Sequence, residues 1–133
     1  KGNSIRRINL EIAPLKDDEF QKLKDVDIGT YTVFQETYHK ETYKQVHPSG
    51  PKANYDFRLE TMDRALTNGL HDVGIGALFG LYDYRFEVLA LIQHSNYLDN
   101  KFGVGPHTIS IPRIKVAKNT PFTENIPYQV SDD

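Results

Sequence analysis

The spacing of apolar residues switches repeatedly between a period of two and a period near 3.6 along this chain, and that alternation limits its fold more than any other feature. Ile8, Leu10 and Ile12 alternate with Asn9 and Glu11, which predicts a strand ended by Pro14. Asp17 then opens an acidic first turn, with Phe20, Leu23 and Val26 at helical spacing and Gly29 closing the unit. The pair recurs. Tyr31 to Phe34 is β-branched and aromatic, and after a loop containing His47-Pro48-Ser49-Gly50-Pro51, Leu59, Met62 and Leu66 form a helical stripe that stops at Gly69. A third strand is predicted from Val73 to about Leu78. Its helix carries Phe86, Leu89, Ala90 and Tyr97 and ends near Gly103, and a fourth strand, Thr108 to Ile111, leads into a tail containing proline and threonine.

Strands alternating with helices imply a parallel sheet with right-handed crossovers, because each helix must carry the chain back across one face of the sheet. The class is α/β, with about four parallel strands and three crossover helices in one domain over residues 1–133. Two architectures fit: a small open sheet, or part of a (β/α)8 barrel, which ordinarily takes about 200 residues or more. A length of 133 residues argues for the open sheet. Asn9 and Glu11 argue the other way, since a carboxylate on a strand covered on both faces costs stability unless it meets a polar cavity.

Composition excludes several function classes. Charged residues make up 26% of the chain with the two signs interspersed and a net charge of -2, so there is no basic stripe for a nucleic acid backbone. The absence of cysteine removes disulfides, thiolate nucleophiles, zinc-thiolate sites and cysteine-ligated iron-sulfur clusters from this chain. No apolar run approaches the roughly 18 residues of a membrane span. Lys1-Gly2-Asn3-Ser4 carries no hydrophobic signal region, so no membrane partner and a cytoplasmic location are expected. Ser131-Asp132-Asp133 has the composition of a helix N-cap with no helix after it.

In βα architectures chemistry collects at the C-terminal ends of strands. Gln35-Glu36-Thr37-Tyr38-His39 offers donors and acceptors for a polar ligand there, or simply a solvated loop. Glu36, His39 and Glu41 lack an established metal-ligand spacing. Gly74-Ile75-Gly76-Ala77-Leu78-Phe79-Gly80 suits close approach of a ligand to the backbone, or tight packing of strand on helix. A dinucleotide reading of these glycines fits poorly, because Asp99 falls at the end of a predicted helix rather than of a strand. If the fourth strand is regular back to His107, alternation puts that histidine on the side of Ile109 and Ile111, an apolar and structural setting. Arg113 suits either a clamp on a carboxylate or a cap on the strand end.

Four blocks of the sequence, Phe34-Gln35-Glu36-Thr37-Tyr38-His39, His47-Pro48-Ser49-Gly50-Pro51-Lys52, Gly74 through Asp83 and Gly103 through Arg113, resemble the HydG/ThiH family of radical S-adenosylmethionine (SAM) tyrosine lyases. The resemblance runs in order over nearly the whole chain. It implies a (β/α)8 barrel, of which this chain is similar to the middle, from about the third strand to the sixth. The family carries a C-x-x-x-C-x-x-C motif upstream for a 4Fe-4S cluster and a second cysteine motif downstream; this chain has no cysteine, so alone it is expected neither to bind clusters nor to turn over.

The family activity, as the resemblance implies it, starts from a 5'-deoxyadenosyl radical made from SAM and cleaves the Cα–Cβ bond of L-tyrosine to p-cresol and dehydroglycine. The HydG branch converts dehydroglycine to carbon monoxide and cyanide for the FeFe-hydrogenase and works with other hydrogenase maturation proteins. The ThiH branch stops at dehydroglycine (2-iminoacetate) for thiamine thiazole synthesis. By resemblance, Glu36 and Arg58 bind SAM, Gly76, Ala77 and Leu78 lie against its adenine, and His107 is the ligand of an additional iron; Arg113, from its capacity to clamp a carboxylate, is assigned to the substrate. A third reading is a non-catalytic α/β binding module. Half a barrel leaves two sheet edges unpaired, so the isolated chain is expected to self-associate.

Overall fold

The computed structural model describes residues 8–26, 28–115, 126 and 128–131. The opening Lys1 to Arg7, most of the tail and the Asp132-Asp133 part of the terminal N-cap lie outside the described residues. Four strands, β1 (Ile8–Glu11), β2 (Ile28–Glu36), β3 (Val73–Ala77) and β4 (Thr108–Ser110), form one parallel sheet in the order β1-β2-β3-β4. Between them run α1 (Asp17–Leu23), α2 (Lys40–Val46), α3 (Tyr55–Leu59), α4 (Thr61–Thr67) and α5 (Tyr84–Phe102), with a single 3-10 turn at Pro51–Ala53.

The core lies on one face of this sheet. Phe20 of α1, Met62 and Ala65 of α4, and Leu91 and Leu98 of α5 cover Tyr31 and Val33 of β2 and Val73, Ile75 and Ala77 of β3. A doubly wound open sheet needs helices on both faces and a reversal of strand order; here the core helices share one face and the order never reverses. The sheet is therefore wound in one direction only, as in a (β/α) barrel, and the open-sheet alternative falls away.

The second face is built for close approach rather than for helices. Thr32, Gly74 and Thr108 share one register level, and Phe34, Gly76 and Ser110 the next. A Cβ added at Gly74 would stand 2.6 Å from the Thr32 hydroxyl oxygen, and one at Gly76 would stand 2.6 Å from both a Phe34 ring carbon and the Ser110 carbonyl oxygen. Strand-on-helix packing, one reading of these glycines, is thus corrected: their open sides receive side chains from the adjacent strand. The two polar positions of β1 also find employment. Glu11 lines a cleft on this face, and Asn9 accepts a hydrogen bond from the Thr30 N–H at 2.9 Å where the β1–β2 register shifts.

Four helical readings change. Helix α1 ends at Leu23, so Val26 is exposed beyond it, and Gly29, read as closing the unit, lies inside β2. The loop after β2 contains α2, a short helix with Tyr43 as its buried residue and thus no legible stripe. The stripe Leu59, Met62, Leu66 belongs to two helices, since the chain breaks at Glu60 (φ -84°, ψ 5°) between α3 and α4. In α5 the expected residues divide: Ala90 packs against the core, Phe86, Leu89 and Tyr97 are exposed, and the buried positions are Glu87, Leu91 and Leu98. The long apolar residues on both sides of α5 hid its true inner face, which includes a carboxylate.

Candidate functional site

The C-terminal end of β2 is where the fold departs from regular geometry. The β2–β3 register shifts between Phe34 and Glu36, and Glu36 takes a φ of 71°, in the left-handed region. For a residue with a Cβ this costs about 1–2 kcal/mol and persists only where surrounding contacts fix it. Those contacts are explicit. The Leu78 N–H donates to the Glu36 carbonyl at 2.7 Å, joining the turn to the end of β3. The Tyr38 N–H donates to the Glu87 carboxyl at 2.9 Å, and the Tyr38 carbonyl accepts from the Tyr55 hydroxyl at 2.7 Å. The Tyr38 phenol meets His94 Nδ1 at 2.6 Å. Two residues beyond Glu36, the backbone is gripped through both of its polar groups.

Glu87, on α5, has no exposed surface, and burial pushes its carboxyl above the usual range against the opposing pull of the Tyr38 N–H and the Thr37 hydroxyl. Burial also lowers the His94 imidazole and raises the Tyr38 phenol, so this buried network favours neutral groups.

In front of the turn, the Glu36 carboxylate is held from two sides. Arg58, on α3, donates from one terminal nitrogen to Oε1 at 3.2 Å, while its Nε donates to the Phe34 carbonyl at 2.7 Å. Oε2 contacts His47 Nε2. All three side chains are mostly enclosed, with 21% exposure for Glu36, 12% for Arg58 and 15% for His47. Glu36 and Arg58 border a cleft of about 710 Å³ whose walls include Glu11, Phe34, Tyr43, Phe57, Leu78 and Pro112, and His47 stands behind Glu36, outside its lining. A largely apolar cleft of this size with a few charged groups fixed in place has the character of a small-molecule site. Tyr43 is buried, its hydroxyl donates to the Lys52 carbonyl at 2.6 Å, and burial raises its phenol.

The remaining candidate residues fall in different places. Leu78 borders the cleft; Gly76 faces the same side beneath the Phe34 ring, and the Ala77 side chain is buried in the helix-side core. Arg113 pairs with Phe79 beyond the end of β3, at the same end of the sheet as the cleft, next to Pro112. His107 lies at the other end. Its N–H donates to the Val73 carbonyl at 2.8 Å, level with the first residue of β3, about 13 Å below Glu36 along the strands. It is exposed, as are Ile109 and Ile111, so the apolar burial expected from their shared side is absent. His39 caps α2 through Nδ1 and Thr42, and Glu41 is exposed on that helix. Sequence reasoning passed over His47 as a site residue and over Glu87 altogether. Glu87 had a signal: it stands four residues before Leu91 and eleven before Leu98, on one helical face.

Fold and cleft together define a class: a one-way βα sheet of barrel type, with a cleft at the C-terminal strand ends. No protein-family profile matches the chain. It is similar to two curated proteins, the 2-iminoacetate synthases of Escherichia coli strain K12 (34% identity over 109 residues) and Salmonella typhimurium strain LT2 (33% over 117 residues). These matches cover 81% and 84% of this chain but 29% and 31% of the relatives, so the chain spans less than a third of their length. Among solved structures, HydG, a maturase of the FeFe-hydrogenase, superposes with a TM-score of 0.92 at 54% identity, over 99% of this chain and 29% of that one. The HydG of Carboxydothermus hydrogenoformans gives 0.82 at 49% identity, over 97% and 28%. The chain is a HydG-like member of the radical SAM family and corresponds to part of its barrel.

Proposed function

We propose that this chain forms the SAM-binding wall of a radical SAM L-tyrosine lyase of the HydG type, which makes p-cresol and dehydroglycine and, from the latter, carbon monoxide and cyanide for hydrogenase assembly. The observation that carries the reading is the Glu36–Arg58 pair at the cleft, in a chain 54% identical to HydG. An α-amino-acid group bears one carboxylate and one ammonium, and the cleft presents one guanidinium and one carboxylate side by side. Arg58 commits Nε to Phe34 and a terminal nitrogen to Glu36, which leaves further N–H groups for a ligand carboxylate. Glu36 keeps lone pairs for an ammonium or ribose hydroxyls. Leu78 and Phe57 supply apolar wall beside them.

SAM, held by Glu36 and Arg58, would supply the radical chemistry for tyrosine cleavage. With no cysteine, this chain's part is to bind and orient SAM, and the cluster thiolates must come from elsewhere in the protein. The higher identity to HydG than to the 2-iminoacetate synthases favours the HydG branch; the ThiH-like reaction, ending at dehydroglycine, is the second reading.

Titration calorimetry on the whole protein tests this. Glu36→Gln and Arg58→Gln should each weaken SAM binding by about ten- to a hundredfold, the worth of a hydrogen bond to a charged group. Unchanged affinity in both variants would sink the reading, and a tyrosine assay that yields p-cresol with no carbon monoxide or cyanide would select the second branch.

A further inference from the structure

The Glu36–Arg58 pair is not paired in the way such groups usually prefer. A guanidinium and a carboxylate left to themselves tend toward a bidentate fork in which both oxygens and two nitrogens are consumed. Here only Oε1 meets Arg58, through one terminal nitrogen at 3.2 Å, while Arg58 Nε is taken by the Phe34 carbonyl. The second oxygen is engaged by His47.

His47 is itself fixed. It is the C-cap of α2, with its N–H donating to the Tyr43 carbonyl at 2.8 Å and its ring 5.1 Å from the buried Tyr43 ring. Tyr43 is locked in turn by its bond to the Lys52 carbonyl and by edge contact with Tyr55 at 5.2 Å. A rigid imidazole thus stands on the far side of a carboxylate whose own backbone is in a high-energy conformation.

We infer that His47 is a positioning residue that holds the Glu36 carboxylate back from Arg58, so that the two charges stay separately available to the ammonium and carboxylate of an α-amino-acid ligand. The inference rests on the SAM-binding reading and assigns a residue that reading does not use. Without the imidazole, Glu36 rotates into the bidentate fork and both recognition groups neutralise each other. The amino-acid end of the ligand then loses its partners, whereas its nucleoside end does not.

The test compares two ligands by calorimetry on the whole protein: SAM, and 5'-methylthioadenosine, which lacks the amino-acid group. His47→Leu keeps apolar bulk without a donor, and His47→Gln restores an N–H. His47→Leu should weaken SAM by about tenfold, leave 5'-methylthioadenosine unchanged, and add no further loss in a Glu36→Gln background; His47→Gln should recover most of the affinity. Equal loss for both ligands, or additivity with Glu36→Gln, would show a general packing role and overturn the inference. If Glu36→Gln itself leaves SAM affinity unchanged, the underlying reading fails. If Glu36→Gln weakens SAM and His47→Leu does not, only the inference fails.

Discussion

Replacing Glu87 by glutamine separates the hydrogen bond it makes from the charge it carries. The carboxyl is enclosed in the core and accepts the Tyr38 N–H at 2.9 Å. Glutamine keeps an acceptor oxygen in that place and cannot ionise. Because burial raises the folded-state value, the unfolded chain gives up its proton first as pH rises from the ordinary range near 4.5. The unfolded state then binds fewer protons than the folded one, so wild-type stability falls with pH until the folded carboxyl also ionises, and is flat above that point. Each unit of separation between the two values is worth about 1.4 kcal/mol. Glu87→Gln should therefore match the wild type at pH 4 and exceed it increasingly on the way to neutrality. Glu87→Ala should be less stable than Glu87→Gln throughout, by about 1–3 kcal/mol for the stranded Tyr38 N–H alone. Urea unfolding of the three proteins between pH 4 and 8 measures both. A pH-independent difference between Gln and Glu would refute the displaced titration, and a Gln variant as unstable as the Ala variant would refute the acceptor role.

Gly76→Ala should cost about 1–3 kcal/mol in denaturant unfolding, because the new methyl group would stand 2.6 Å from the Phe34 ring and from the Ser110 carbonyl, and the latter is backbone that cannot swing away. The 133-residue chain on its own should associate with rising concentration, since among the described residues β1 and β4 each pair on one side only and Ile8, Ile109 and Ile111 are exposed. Sedimentation velocity showing one monomeric species across a wide concentration range would count against it.

The strand sequence was legible from the alternation of Ile8, Leu10 and Ile12, from the β-branched and aromatic run Tyr31 to Phe34 and from the helical stripes between strands, although β2 starts at Ile28 and takes in Gly29, which in sequence alone reads as the end of a helix. The direction of winding was not. Nothing local to Tyr31 or Gly74 states which face receives the helices; that appears only when Phe20, Met62 and Leu91 converge on one side. Helix α5 shows the same limit more sharply. Its apolar residues surround the axis, so the pattern admits several inner faces, and the one chosen includes Glu87, whose charge argues for solvent until its partner Tyr38 is known. Glu36 stood in a polar block at a strand end, Arg58 entered through resemblance alone, and the structure places the two in contact. His47 is visible in a proline- and glycine-containing loop but gains no role from the sequence, because α2, which aims it, is too short to announce itself.

The strand order β1-β2-β3-β4 repeats the order of synthesis. Each βα unit can be laid against the one made just before it, so the contacts of this segment are mostly between successive units and need no distant portion of the chain. While a sheet of this kind grows on the ribosome, its newest strand is always an edge, and the face away from the helices stays wet until the barrel closes. Val33, Val73 and Ile75 face the side that their own crossover helices cover at once. Thr32, Gly74, Thr108 and Ser110 face the side that must wait, and residues so small or polar can stand in water during that interval; Phe34, the large apolar residue on that side, lays its ring over Gly76.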